Sequence, residues 1–270
     1  MGAVSVGVVS VGAVSVSVGG RLARVTLSSP GKLNAMSRAM WQQLRSAFAG
    51  IASLAADGKL RCVVVAGEGS HFSSGGDISE YAAFRFNEAS LKGFHEGDVW
   101  GALQAMLDCD LPIIAQIEGN CMGAGLEIAS CCDIRLASNS ARFGAPIARL
   151  GFPMAPREAA LVIGSVGELT ARDMLLAASV LDAPHMLMRG FLNRVCSDTE
   201  LPSAVQGYAD RISQLAPDAA AMNKQTFRAV AQSIRAQAAT QLIANAYQYA
   251  DSPEHREGVA AFVEKRPPQF

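Results

Sequence analysis

Several motifs that would assign a function at once are absent from this sequence. There is no Cys-x-x-Cys pair and no His-Glu-x-x-His motif, and the chain contains only four histidines, so a metal site has little support. A Walker loop for ATP and the Gly-x-Ser-x-Gly elbow of serine hydrolases are missing too. Gly67-Glu68-Gly69 lacks the third glycine of a dinucleotide fingerprint. These absences exclude the commonest metal, nucleotide and serine-nucleophile sites.

An excess of charge of either sign is also absent. The net charge is -1 and the Lys and Arg residues are scattered, which predicts neither a nucleic-acid partner nor a membrane-surface patch. Residues 1–18 lack the basic start of a signal peptide and are interrupted too often by Ser and Gly for a membrane span. The six cysteines show no pairing pattern, so reduced thiols in a cytoplasmic protein are the simpler interpretation.

The composition and the first residues predict a packed globule that begins with a hairpin. Half of the 270 residues are hydrophobic and 17% are charged. Residues 1–18 alternate Val with Ser or Gly, which is typical of a strand or of an untidy leader. We predict that residues 14–18 pair with residues 22–27 across the Gly19-Gly20 turn, and that residues before Val11 are loose.

The order strand, turn, helix repeats along the chain and predicts an α/β layered fold. The predicted elements are a helix over 38–55 after the N-cap Ser37, strands over 61–66, 113–117 and 133–138, and helices over 126–136, 169–178, 202–215, 219–250 and 253–265. Residues 79–108 are predicted to be helical with a polar, mobile middle around 85–97. From about residue 156 the chain is predicted to be nearly all helical. We divide it into a core over 1–197 and a C-terminal helical region over 198–270.

Two glycine-rich loops carry the functional signal. One is Phe72-Ser73-Ser74-Gly75-Gly76-Asp77-Ile78, and the other runs from Gly119 to Glu127. Each follows a short apolar run that is typical of a buried strand. Two such loops can direct two backbone N–H groups at one carbonyl oxygen, which is an oxyanion hole and indicates chemistry on an acyl group.

These loops and two further segments resemble the crotonase, or enoyl-CoA hydratase/isomerase, superfamily over residues 18–270. The further segments are Lys32-Leu33-Asn34-Ala35-Met36 and Ala261-Phe262-Val263-Glu264-Lys265-Arg266. The resemblance implies an α/β fold, a crotonase-like spiral of β-β-α turns with a C-terminal helical region. It also implies a homotrimer or a dimer of trimers, and a CoA thioester as ligand, with no cofactor besides the coenzyme A of the substrate.

The resemblance also implies roles for single residues. The amides of Gly76 and Ala124 would hold the thioester oxygen, and Glu127 would be the general acid/base. A carboxylate flanked by Leu126 and Ile128 is costly to bury without such a role. The implied substrate- and CoA-binding residues are Lys32, Leu33, Ala35, Ser74, Gly76, Asp77, Ile78, Gly123, Ala124, Phe262 and Lys265. Of these, Lys32 and Lys265 would neutralise phosphates.

One departure from the family pattern bears on the reaction. Hydratases of this family use a second glutamate after a proline, and here that position is Ile147, after Pro146. Either Glu127 acts alone in hydration or double-bond migration, or Glu158 or another carboxylate replaces the missing partner, or the protein binds acyl-CoA with little turnover. Hydrolysis or decarboxylation of a CoA thioester stays open. We predict an enoyl-CoA hydratase or isomerase of fatty acid metabolism.

The aromatic residues after the first loop bear on the acyl group. Residues 80–100 carry Tyr81, Phe84, Phe86, Phe94 and Trp100. They suit a bulky acyl group, although aromatic side chains at helical spacing are more often part of the core.

Overall fold

The computed structural model describes residues 12–58, 60–243 and 246–269, with only the backbone given for 231–243. Its strands are β1 (Ala13–Gly19), β2 (Leu22–Ser28), β3 (Cys62–Gly67), β4 (Ile113–Ile117), β5 (Asn120–Met122), β6 (Ile134–Ser138), β7 (Arg142–Gly144), β8 (Val180–Asp182) and β9 (Arg194–Cys196). Its α-helices are α1 (Arg38–Ala56), α2 (Glu88–Lys92), α3 (Trp100–Leu107), α4 (Ala124–Ser130), α5 (Pro156–Val166), α6 (Glu168–Leu176), α7 (Ala183–Met188), α8 (Leu201–Ser213), α9 (Pro217–Ile243) and α10 (Pro253–Val263).

Two sheets organise these strands. The larger one has the order β1-β2-β3-β4-β6-β9, and the smaller one has the order β5-β7-β8. Strands β1 and β2 form the predicted antiparallel hairpin, with Val16 opposite Val25, and from β2 to β9 the larger sheet is parallel. The prediction for residues before Val11 lies outside the described residues.

The chain alternates between the sheets and so forms a spiral. Each of the successions β4-β5-α4 and β6-β7-α5 passes from the larger sheet to the smaller one and then into a helix. A parallel bridge between Ser73 and Cys121 brings the loop after β3 into the same arrangement. This is the β-β-α order that the sequence resemblance implies, and it places the turns after β3 and β5 side by side.

Helices cover the larger sheet on both faces. Trp41, Leu44 and Phe48 of α1 are buried in the main core with Val25 and other residues of the sheet. On the opposite face, Leu201 and Val205 of α8 pack with Cys62, Val64 and Ile114. Because parallel strands are buried on both faces, they appear in the sequence as continuous apolar runs. In the part of the chain described, no helix is long and apolar enough to cross a bilayer.

The predicted helix over 126–136 is wrong in its second half. Helix α4 ends at Ser130, and β6 begins at Ile134 and pairs with β4. The Asp133 carboxylate between them accepts a hydrogen bond of 2.7 Å from the Ile113 amide and so fixes the turn. The strand predicted over 133–138 corresponds to β6, and it overlaps the predicted helix at residues 133–136. The short strands β8 and β9 are exceptions to the prediction that the chain is nearly all helical after residue 156.

The polar middle predicted around residues 85–97 is largely exposed, but two of its charged or titratable side chains are not. This stretch contains α2 and one π-helical segment, Gly93–Val99, and both Arg85 and His95 are buried. Arg85 lies against the rings of Tyr81 and Phe152, and His95 contacts Glu158. Polar residues with interior partners cannot be distinguished from solvated ones by local sequence.

Two glycines dock α10 against the short 3₁₀ helix Ile147–Leu150. A Cβ at Gly258 would lie 2.3 Å from the carbonyl carbon of Leu150, and one at Gly151 would lie 2.0 Å from the carbonyl oxygen of Glu254. Gly151 also has a φ of 71°, which favours glycine. These close approaches bring the C-terminal residues beside the segment that follows Pro146.

We therefore expect Gly258→Ala to lower the free energy of unfolding by about 1–3 kcal/mol, since the new methyl group overpacks a backbone contact. Denaturant unfolding monitored by circular dichroism measures this change. The matched control is Gly207→Ala, in the exposed middle of α8 with open space around its Cα. Helix propensity predicts that this control gains about 0.5–1 kcal/mol. Equal effects of the two substitutions would contradict the docking role of Gly258.

Candidate active site

A cavity of about 850 Å³ lies between the two glycine loops, the segment after Pro146 and the end of α10. The predicted site residues that line it are Lys32, Ala35, Ser74, Gly76, Asp77, Ile78, Gly123, Ala124, Glu127, Phe262 and Lys265. Leu33 is the exception: its side chain is 46% exposed and does not line the cavity, although its carbonyl accepts the Ser74 amide. Of the predicted aromatic wall, Tyr81 and Phe94 line the cavity, whereas Phe84, Phe86 and Trp100 do not.

The first loop turns the Gly76 amide away from its neighbouring strand. Gly76 forms a parallel bridge with Met36, in which the Met36 amide donates to the Gly75 carbonyl and the Asp77 amide donates to the Met36 carbonyl. In a parallel bridge the hydrogen bonds are made by the peptide groups before and after the central residue. The N–H of that central residue, here Gly76, therefore points away from Met36. Within the described residues we find no acceptor for the Gly76 N–H, which leaves it available to a ligand.

The second loop presents the Ala124 amide in a different way. Gly123 has a φ of 46° and a ψ of -109°, a conformation open to glycine, and its amide donates to the Gly144 carbonyl. Ala124 is the first residue of α4, and the first amides of a helix have no partner within the helix. No acceptor in the described part of the chain receives its hydrogen. Two free amides therefore border one cavity.

Lys32 and Asp77 form an ion pair at the entrance. The Lys32 Nζ lies 2.6 Å from an Asp77 carboxylate oxygen, and the other oxygen accepts the Ser79 amide, as expected for the N-cap of the 3₁₀ helix Ile78–Ala83. Although burial raises the pKa of Asp77, the hydrogen bonds from Lys32 and Ser79 hold it below its usual value. Asp77 is thus a capping residue that also holds a lysine at the cavity.

Glu127 is buried at the inner end of the cavity. It lies in the first turn of α4 and is 7% exposed. Burial raises the pKa of Glu127 well above the ordinary value, and the nearby Glu158 carboxylate raises it further, while the Arg85 guanidinium acts in the opposite direction. A carboxyl in these surroundings can hold a proton at neutral pH and release it to a substrate.

Glu158 lines the same cavity from α5 and is 3% exposed. Burial raises the pKa of Glu158 to about 8, with Arg85 opposing the rise and Glu96 adding to it. One of its oxygens lies 2.7 Å from Nδ1 of His95, whose pKa burial lowers well below the usual value. The contact is therefore a hydrogen bond to a neutral imidazole and not a salt bridge. Glu158 was only one alternative from the sequence, and the structure places it beside Glu127.

Ile147 also lines the cavity, so the position that carries the second glutamate in related hydratases faces the site without a carboxyl group. The half-buried ring of His71 accepts the Asn120 amide at 3.0 Å and so connects the two loops. Sequence reasoning missed Arg85 and His95 as lining residues. The one available signal was an arginine between two phenylalanines, Phe84 and Phe86.

Comparisons with known proteins agree on one family. A family model described as enoyl-CoA hydratase/isomerase matches residues 18–270. A probable enoyl-CoA hydratase of Mycobacterium tuberculosis is 30% identical, covering 93% of this chain and 94% of that protein. The 2,3-dehydroadipyl-CoA hydratase of Escherichia coli is 30% identical over 93% of this chain and 95% of that protein. A solved structure described as an enoyl-CoA hydratase/carnithine racemase from Magnetospirillum magneticum is 33% identical, with a TM-score of 0.78, and covers 95% of this chain and 94% of that one.

The raised pKa of Glu158 makes stability depend on pH. The folded state keeps this carboxyl protonated up to about pH 8, whereas the unfolded chain ionises it near 4.5. The folded state therefore binds more protons between these values, and the free energy of unfolding falls as the pH rises. We expect Glu158→Gln to remove up to about 1.4 kcal/mol per pH unit from this slope.

Denaturant unfolding at a series of pH values measures the slope. The control is Glu254→Gln, an exposed glutamate in the first turn of α10. A slope unchanged by Glu158→Gln would show that Glu158 titrates as it does in the unfolded chain.

Proposed function

The chain belongs to the enoyl-CoA hydratase/isomerase family, and we propose that it adds water to an enoyl-CoA thioester with Glu127 and Glu158 as its acid/base pair. The crotonase-like fold predicted from the glycine loops is confirmed. The observation that carries the proposal is that both carboxyl groups, from α4 and α5, are buried in the cavity that the Gly76 and Ala124 amides border.

The two amides lower the energy barrier to forming the enolate. Addition to an enoyl thioester places negative charge on the thioester oxygen as an enolate forms. An N–H group that is fixed before the reaction stabilises this charge without reorganisation, and one such donor is worth roughly 3–4 kcal/mol. In this assignment the thioester oxygen lies between Gly76 and Ala124, and the acyl chain extends toward Glu127 and Glu158.

The two carboxyl groups divide the proton transfers. Two carboxylates in one apolar cavity repel each other, so the pair keeps one proton over a wide pH range. Ionised Glu158 raises the pKa of Glu127, and we assign the ionised state to Glu158 and the remaining proton to Glu127. Glu158 then takes a proton from water as the water oxygen bonds to Cβ, and Glu127 gives its proton to Cα of the enolate. A proton passing back between them restores the pair.

The alternatives use less of the site. Double-bond migration moves a proton between two carbons, and Glu127 alone can do this. A protein that only binds acyl-CoA has no need of two buried carboxyl groups, each of which costs stability when it ionises. Glu158 beside Glu127 favours hydration, because a second carboxyl can hold and deprotonate the water.

The assembly and location are part of the proposal. We propose a homotrimer or a dimer of trimers in the cytoplasm, working in fatty acid metabolism with no cofactor besides the coenzyme A of the substrate. Three large apolar side chains on α6 and α7, Leu169, Leu176 and Met188, are each more than three-quarters exposed and suit a subunit contact. The relatives include a 2,3-dehydroadipyl-CoA hydratase and a short-chain-enoyl-CoA hydratase, so their names point to more than one acyl group.

We expect Glu127→Gln and Glu158→Gln each to lower kcat by about 10²–10⁴, because each removes one proton transfer while keeping the volume of the side chain. Loss of absorbance at the enoyl-thioester band measures the rate, with crotonyl-CoA and a longer enoyl-CoA as substrates. The double variant should be little slower than the worse single one, since the two groups act as a unit. Full activity in Glu158→Gln would leave Glu127 acting alone, and full activity in Glu127→Gln would remove its assigned role.

The pH dependence follows from the same pair. The base must be ionised and the acid protonated, so kcat/KM should rise with pH toward an apparent pKa near 8 and fall again at higher pH. Glu158→Gln should lose the rising limb. A rate that is already maximal at pH 6 in the wild type would contradict Glu158 as the base.

A further inference from the structure

The cavity contains a buried cation that is not paired directly with a carboxylate in the described part of the chain. Arg85 is 1% exposed and lines the cavity. The centre of its guanidinium lies 3.9 Å from the ring of Phe152 and 4.3 Å from the ring of Tyr81. Among the residues that the structure describes, Arg85 forms no ion pair with a carboxylate. The rings cover its faces, so its N–H edge is what remains for other partners.

The polar neighbours of Arg85 do not supply a negative charge. Nε donates to Nε2 of His255 and Nη2 donates to the Tyr249 hydroxyl, both at 3.4 Å. Burial lowers the pKa of His255 to about 4 and raises that of Tyr249 to about 12, so both are neutral near pH 7. A guanidinium has five N–H donors, and here two of them make long bonds to neutral groups. Removing such a cation from water is costly unless an anion accompanies it.

Neither carboxyl group of the proposed acid/base pair forms an ion pair with Arg85. The charge of Arg85 lowers the pKa of both Glu127 and Glu158, which shows that it acts across the same cavity. Neither forms an ion pair with it, and one oxygen of Glu158 is already bonded to His95. Because Arg85 lines the cavity, its guanidinium borders the space that a ligand would occupy.

A second unsatisfied group lies in the same cavity. Nε2 of His95 is buried and has no hydrogen-bond partner in the described part of the chain, although His95 lines the cavity. Buried ring nitrogens are normally hydrogen-bonded, and each exception requires an explanation. The unpaired Nε2 of His95 indicates that the ligand carries a polar atom next to this nitrogen. An alkyl chain would leave the nitrogen without a hydrogen bond.

We propose that the acyl group of the substrate ends in a carboxylate and that Arg85 binds it, so that the substrate is the CoA thioester of an unsaturated dicarboxylic acid. A carboxylate matches the two parallel N–H bonds that the edge of a guanidinium offers. The proposal rests on the proposed function, because it names the substrate class of the same site. Arg85 is here a specificity-determining residue.

The test compares enoyl-CoA thioesters of equal length that end either in a carboxylate or in a methyl group, with the length varied one methylene at a time. For the best length, the wild type should have at least a tenfold higher kcat/KM with the carboxylate. Arg85→Gln should lower this ratio about 10²-fold, since it leaves the ligand carboxylate buried and unpaired. The ratio within each variant cancels any general effect of Arg85 on Glu127 and Glu158.

The matched control is Arg157→Gln. Arg157 lies on α5, pairs with Glu96 and does not line the cavity, so the same change of charge should leave the ratio unaltered. Arg85→Lys keeps the positive charge but loses the two parallel N–H donors of the guanidinium. It should therefore retain part of the preference for the carboxylate substrate. Circular dichroism verifies that each variant is folded. If Arg85→Gln fails to fold, the same kcat/KM ratio is compared between the wild type and Arg85→Lys.

Calorimetric binding of saturated thioesters separates this inference from the proposed function. Tighter binding of adipyl-CoA than of hexanoyl-CoA, lost in Arg85→Gln, would support the inference even if no hydration occurs. Hydration of both kinds of enoyl thioester with equal kcat/KM would leave the proposed function standing and overturn the inference. A preference for the carboxylate that persists in folded Arg85→Gln would also overturn it.

Discussion

The constraint on which the rest of the site depends is the burial of two carboxyl groups, Glu127 and Glu158, in one apolar cavity. In such surroundings the charged forms are disfavoured, and ionisation of one opposes ionisation of the other. The result is one acid and one base at the same pH, which is what the addition of water across a double bond requires. Arg85 moderates both groups without forming an ion pair with either, so it limits the cost of their burial while leaving them free to exchange protons.

The backbone supplies the other half of the site. Gly76 directs its amide to the ligand because the groups on either side of it are bonded to Met36. Gly123 adopts a backbone conformation that suits glycine and thereby lets α4 begin at Ala124. Both amides are fixed by hydrogen bonds made elsewhere, and preorganisation of this kind is the source of oxyanion stabilisation.

The fold and the loops could be predicted from the sequence because their signals are local. The Gly19-Gly20 turn, the Ser37 cap and the two glycine loops each depend on residues close in the chain, and the family is confirmed. Arg85 and His95 could not be predicted, because their burial depends on partners far along the chain, such as Phe152 and Glu158. The helix predicted over 126–136 extended too far into the strand predicted over 133–138, and pairing with β4 makes this overlap a strand.

Glu158 occupies the cavity without belonging to the motif that carries the second glutamate of related hydratases. Ile147 faces the cavity from a 3₁₀ turn, and α5, which begins a few residues later, brings Glu158 into the same space. The position of the Glu158 carboxyl is fixed by the backbone of α5 and by its hydrogen bond to His95. The absence of glutamate at position 147 therefore does not by itself exclude hydration. In the proposed reaction Glu158 takes that role, and the buried Arg85 in the wall of the same cavity is the residue on which the proposed acyl specificity depends.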